Sequence, residues 1–226
     1  MGKISLYVLL ILIYLGLAKS LKTDEKRMTI NGIDELKSSA SLLRPPTSVL
    51  LLDSYSEGLF LKTYILRLRL VRVFSGTKDI TIKTSKEFFE ANKGNIGMSI
   101  FRLDEGAPSP ETLPLPPGSY FLGHFTFGSW RLINSGQRIW KFHRSYRDLP
   151  EVLGWGKWRP TKTFYKKIIL HKEQQLPFYG HNNEFGTEGT ITKKNIRRIA
   201  EARIFKREDF LPHLKNLFSL PGNQHE

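Results

Sequence analysis

Cysteine is absent from the 226 residues. That absence excludes disulfide scaffolds, thiolate metal centres, cysteine nucleophiles and lipidation through a thiol. Also missing are a Gly-X-Y period, a heptad run and any longer internal repeat, which rules out collagen, long coiled coils and solenoids. There is no G-x-S-x-G elbow and no H-E-x-x-H pair. Gly154-Trp-Gly156-Lys157 fails as a phosphate loop, because Trp158 stands where Ser or Thr is needed and the upstream glycine spacing is wrong. No metal cluster and no cofactor motif emerges, so neither is expected. Acidic residues are scarce: 21 Asp and Glu face 35 Lys and Arg, a formal charge of +14.

What is present fits a globular protein, with 40% hydrophobic and 25% charged residues. Lys3 is followed by the uncharged run Ile4 to Ala18 and then Lys19. As a helix that run rises roughly 22 Å, less than a hydrocarbon core about 30 Å thick. A basic start, a short apolar stretch and small residues at Ala18 and Ser20 form the layout of a secretory signal sequence. Residues 1–20 therefore read as a signal peptide or an uncleaved anchor, and the expected location is extracytoplasmic: periplasmic, surface or secreted. Membrane contact is expected only through that segment. Its removal takes away Lys3 and Lys19 and no acid, leaving +12.

The remaining chain divides by composition. Residues 21–46 form a polar lead-in with a short helix over Ile33 to Leu43, stopped by Arg44-Pro45-Pro46. Residues 47–106 read as a β-rich lobe. In it, Tyr64, Leu66, Leu68 and Leu70 alternate with Arg67 and Arg69, the period of a half-buried strand. Ser75 to Lys78 forms a turn, and Asp79 to Thr84 completes a hairpin. Ser85 caps one or two helical turns ending before Gly94. Residues 107–117, with Pro108, Pro110, Pro114, Pro116 and Pro117, form a stiff loop or linker. Residues 118–226 read as an aromatic, basic, β-rich lobe. Strands are expected over Tyr120–Ile133, Gln137–Tyr146 and Thr163–His171, with helices over Thr192–Ala202 and Asp209–Phe218. The fold class is α+β, mainly antiparallel β, sandwich-like or a curved sheet, with a few short helices and a C-terminal helix.

Function should concentrate where charge and rings coincide. All four tryptophans lie between Trp130 and Trp158, and Arg131 to Lys172 holds eleven Lys or Arg against Asp148 and Glu151. If 137–146 is one strand, Trp140, Phe142, Arg144 and Tyr146 share a face. Rings beside guanidinium groups bind sugars by stacking and anions by forked hydrogen bonds. The expected ligand-binding set is Trp140, Arg144, Arg147, Trp155, Lys157, Trp158 and Arg159. The same residues are equally explained as strand cores with a solvated basic face. An export signal turns the partner expectation from nucleic acid to an anionic polymer, a glycan or an envelope protein. The alternative is a small cell-wall hydrolase built on His181, Glu184 and Glu188, with His143 as a further candidate. The leading reading is a non-catalytic binding or structural module.

Overall fold

The structure, a computed structural model, describes residues 3–20, 28–38, 46–58, 61–72, 76–104 and 109–199. Helix α1 (Lys3–Ser20) comes first, and its side chains from Leu6 to Tyr14 are exposed. Among the described residues no helix is long and apolar enough to cross a membrane. Strand β1 (Met28–Thr29) and helix α2 (Ile33–Ser38) follow. Then come β2 (Thr47–Glu57), β3 (Thr63–Arg72), β4 (Gly76–Thr84), α3 (Lys86–Asn92) and β5 (Ser99–Leu103). The five strands form one sheet in the order β1-β4-β3-β2-β5, antiparallel except where β1 runs parallel to β4.

The alternation in β3 builds this sheet from both sides. Leu66, Leu68 and Leu70 turn to one face and bury against Val49, Leu51 and Ile82, roofed by Leu36 of α2 and Phe89 of α3. Helix α3 is held at its start by Ser85, whose hydroxyl accepts from the Phe88 amide at 3.1 Å. The opposite face carries Arg67 and Arg69 together with Leu50 and Val71. It does not face water alone. Arg69 donates twice to Asp79, at 2.7 and 2.8 Å, and once to the Val152 carbonyl at 3.2 Å. The arginines of β3 thus lie where the C-terminal half docks.

The proline-rich segment runs antiparallel beside β5. Backbone pairs join Arg102 to Glu111 and Ser99 to Leu115. Pro114, which has no amide hydrogen to offer, lies between these two pairs. At Gly118 the chain turns with φ +79°; a Cβ there would sit 2.6 Å from Leu153 Cδ1. Only glycine reconciles that turn with the packing beneath it.

The C-terminal half has a small hairpin, β6 (Gly128–Leu132) and β7 (Arg138–Phe142), then α4 (Leu149–Val152), α5 (Lys162–Glu173) and a helix α6 over 190–199. The α+β class with mainly antiparallel strands is what the structure has, with short helices that include one near the C-terminus. Three local expectations need correction. Residues 120–127 form turns, and only 128–132 are strand. Strand β7 ends at Phe142, and Arg144–Tyr146 form a single 3-10 turn. Thr163–His171 is helix, because Thr161 caps it by accepting from the Phe164 amide at 3.1 Å, and Phe164 and Ile168, four apart, both bury on one side. Tertiary burial of that stripe overrides the β preference of its branched and aromatic residues. The helix expected over Asp209–Phe218 lies outside the described residues.

Candidate functional site

The rings expected at a binding surface are mostly core. Trp140 is 1% exposed and Trp155 is 2% exposed. Trp140 meets Trp130 edge-on across the β6–β7 pair, at 5.0 Å between centroids. Trp155 stacks on Phe142 and meets Trp158 edge-on, each at 5.5 Å. Its indole N–H donates to the Pro117 carbonyl at 2.9 Å. With their faces covered by protein, Trp140 and Trp155 present nothing on which a ligand can stack. Trp140 and Phe142 do share a face of β7, and it points inward; Tyr146 lies past the end of the strand and packs on the same cluster, while Arg144 is exposed. Trp158 is half-buried and closes the same cluster against Phe164 and Phe185.

The expected cations separate by role. Arg144, Arg147 and Lys157 are exposed. Arg147 lies 3.7 Å from Asp148, a solvated pair of little energetic weight. Arg159 is half-buried and donates to the carbonyls of Gly156 and Trp158, at 2.6 and 2.7 Å, so it fastens its own loop. Glu151 pairs instead with Arg198 of α6.

The side chains of the alternative, acid–base reading each make local contacts. His143 meets the Phe125 carbonyl at 2.8 Å, beside the hairpin. His181 is exposed, with its ring edge-on to Phe164 and Phe178. Glu184 accepts from the Asn182 amide at 3.0 Å, and Glu188 pairs with Lys193 at 2.5 Å. The loop docks on the α3–β5 connection through Tyr179, which donates to Asn95, and Thr187, which donates to the Lys93 carbonyl. Its carboxylates therefore serve a turn and the start of α6. Among the described residues no group of three His, Asp or Glu side chains is placed to hold a metal ion.

Two other features have the form of sites. The first is a basic cleft of about 300 Å3 where β7 meets the start of α5. A backbone bridge between Ile139 and Thr161 fixes strand to helix there, and Trp140 donates its amide to the Pro160 carbonyl at 2.9 Å. Arg138, Lys162 and Lys166 line the cleft, and among the described residues none of them has an acidic partner. Exposed Lys141 and Lys167 flank it in the sequence. Three uncompensated cations around one concavity raise the local concentration of anions. All three fall inside the basic stretch that stands out in the sequence. Reading 163–171 as strand hid that Lys162 and Lys166 are one helical turn apart and share a side.

The second feature is a polar cavity of about 510 Å3 between α5 and the proline-rich segment. Arg102 is 4% exposed and donates to Glu111 at 3.3 Å and to the carbonyls of Ser99 and Leu113 at 3.1 and 2.7 Å. Lys172 of α5 also pairs with Glu111. Burial lowers the Arg102 pKa from its usual value, although Glu111 opposes that shift. Burial would raise Glu111, but Lys172 and Arg102 hold its carboxyl below the ordinary range. Asp104 goes the other way: burial, then the charge of Glu111, pushes its carboxyl up. Two neighbouring carboxyls thus sit in environments that drive them apart. Asp104 read as part of a plain turn in the sequence, and Glu111 as loop. Nothing local marks them, since the backbone pairing of 102 with 111 brings them together. No known protein family, curated protein or solved structure matches this chain.

Proposed function

We propose that this chain is an exported, non-catalytic module of the cell envelope that binds an anionic polymer through the basic cleft of Arg138, Lys162 and Lys166. The observation that carries the reading is the convergence of these three cations, without acidic partners among the described residues, on one concave surface. The net charge of +14 supports it by favouring polyanions at long range. Export rests on the layout of residues 1–20 and makes phosphate- or carboxylate-bearing envelope polymers the partners in reach. Compared with the sequence reading, the contact moves from the tryptophans to cations on β7 and α5. Arg144 and Arg147, exposed beyond the end of β7, take a secondary part.

The test is retention of the full chain on heparin and on purified anionic wall polymer across a salt series. Each cation that contacts the polymer contributes about one unit to the slope of log affinity against log salt. Replacing Arg138, Lys162 and Lys166 by Gln is expected to lower that slope by about three. Between about 50 and 200 mM salt, three units of slope correspond to a change in affinity of about 60-fold. A triple variant that folds and keeps the wild-type slope places the contact elsewhere and ends this reading. An Arg144→Ala, Arg147→Ala pair is expected to have the smaller effect.

A further inference from the structure

The tip of the β6–β7 hairpin holds two large aliphatic side chains in water. Leu132 is 68% exposed and Ile133 is 36% exposed. The turn that presents them is already shaped. Ile133 donates its amide to the Gln137 carbonyl and Gly136 donates to the Ile133 carbonyl, each at 2.9 Å. Gly136 supplies the φ of +76° that closes the turn. Cations surround the aliphatic pair. Leu132 stands opposite Arg138 in the strand register, so their side chains share a face. Arg131, opposite Ile139, is exposed on the other face. Lys162 and Lys166 line the adjoining cleft with Arg138. No acid occurs between Glu111 and Asp148, so the hairpin has no negative charge of its own to offset these cations.

We propose that this tip docks on an anionic lipid surface, with Leu132 and Ile133 entering the interfacial layer and Arg131 and Arg138 meeting headgroup phosphates. Such a surface suits both halves of the tip. Apolar side chains gain by leaving water, and each basic residue near a negative leaflet adds attraction. A protein partner fits less well. Two aliphatic residues on a turn fall far short of the roughly 1,000 Å2 that a stable protein interface buries. A second copy of this chain would also set Arg131 and Arg138 against their own equivalents. An anionic polymer engages the cations and leaves the aliphatic pair in water. The lipid contact does not depend on the polymer reading, since Leu132 and Ile133 lie outside the cleft lining. It is a membrane contact separate from residues 1–20.

Helix α1 exposes apolar side chains of its own, so vesicle binding by the whole chain does not report on the tip. The test is therefore local. The lack of cysteine lets Ser135→Cys carry a single environment-sensitive fluorophore at the turn, and Ser145→Cys carries it past the far end of β7. Both labelled full-length chains are mixed with vesicles of phosphatidylcholine, or of equal parts phosphatidylcholine and phosphatidylglycerol, with nitroxide on the acyl chains as quencher. On the anionic vesicles the Ser135 label is expected to shift to the blue and to be quenched, while the Ser145 label stays in water. Neutral vesicles, or about 500 mM salt, should lower the Ser135 signal, because the phosphate contacts are missing or screened. Leu132→Gln with Ile133→Gln changes two exposed side chains, so it should leave the fold and polymer retention as in wild type and abolish the signal. Arg131→Gln is expected to lower the ratio of inserted to free tip about fivefold. A Ser135 label that stays in water on anionic vesicles overturns the proposal. So does insertion that is equal on neutral vesicles, equal at Ser145, or untouched by the double Gln variant. A blue shift that needs no lipid and grows with protein concentration assigns the tip to a second copy, and overturns it too. Failure of the wild type to bind polymer ends only the cleft reading.

Discussion

Replacing Trp155 by Ala separates a core residue from a ligand platform. The indole is 2% exposed, stacks on Phe142 and meets Trp158 edge-on. Truncating a buried Trp to Ala typically costs about 3–5 kcal/mol. The change also leaves the Pro117 carbonyl without the N–H it accepts at 2.9 Å, adding about 1 kcal/mol or more. The expected loss is therefore about 4–6 kcal/mol, a large share of the roughly 5–15 kcal/mol that holds a domain folded. Trp155→Phe isolates the hydrogen bond and part of the ring, and about 1–2 kcal/mol is expected. Urea unfolding of the full chain, followed by far-ultraviolet circular dichroism, reads both variants on one scale. In a chain of this size 4 kcal/mol corresponds to a fall in Tm of roughly 8–16 °C. A Trp155→Ala protein within 1 kcal/mol of wild type would falsify the core assignment and return this ring to the surface.

Glu111→Gln removes the carboxylate shared by Arg102 and Lys172. About 3 kcal/mol of destabilisation is expected, the low end for stripping a buried charge of its partner, because Glu111 is itself partly exposed. Chemical denaturation measures it, and a change below 1 kcal/mol would mean that the carbonyls of Ser99 and Leu113 suffice for the guanidinium. Asp79 supplies a pH signature. Arg69 hydrogen-bonds its carboxyl and holds the pKa below the ordinary value. A carboxyl depressed by folding stabilises above its unfolded pKa of about 3.9, and that contribution fades as pH falls through the folded value. Asp79→Asn should therefore be less stable than wild type at neutral pH, and the gap should narrow as pH falls below the unfolded value of about 3.9. Parallel stability curves across that range would exclude the linkage.

Legibility in the sequence followed the range of the interactions involved. Strand β3 was readable because alternation is local and the buried leucines keep it without interruption. The Ser85 cap of α3 was readable for the same reason. Helix α5 was misread because Thr163-Phe-Tyr-Lys-Lys-Ile-Ile carries β-favouring residue types. The counter-signals were Thr161 just after Pro160 and the four-residue step from Phe164 to Ile168. Alternation placed Trp140 and Phe142 on one side correctly, yet no pattern within β7 says whether that side faces water or the Phe121–Phe127 cluster. The polar cavity was beyond reach, since Arg102, Ser119 and Lys172 meet only after a proline segment and a helix have docked.

The proline segment beside β5 has a consequence for the molecule in a crowd. A sheet edge offers unpaired amides and carbonyls to any strand that drifts past, and chains that accept the offer polymerise. Here the two pairings at 102–111 and 99–115 occupy the β5 edge, and Pro114 denies the next comer a donor. At the opposite edge, β4 carries Lys78 and Asp79, and β1 pairs with Ile82 and Lys83. A basic protein gathered along a polyanion would reach high local concentration, where edge-to-edge growth is most dangerous. Stiff residues at one border and charge at the other oppose such edge-to-edge growth.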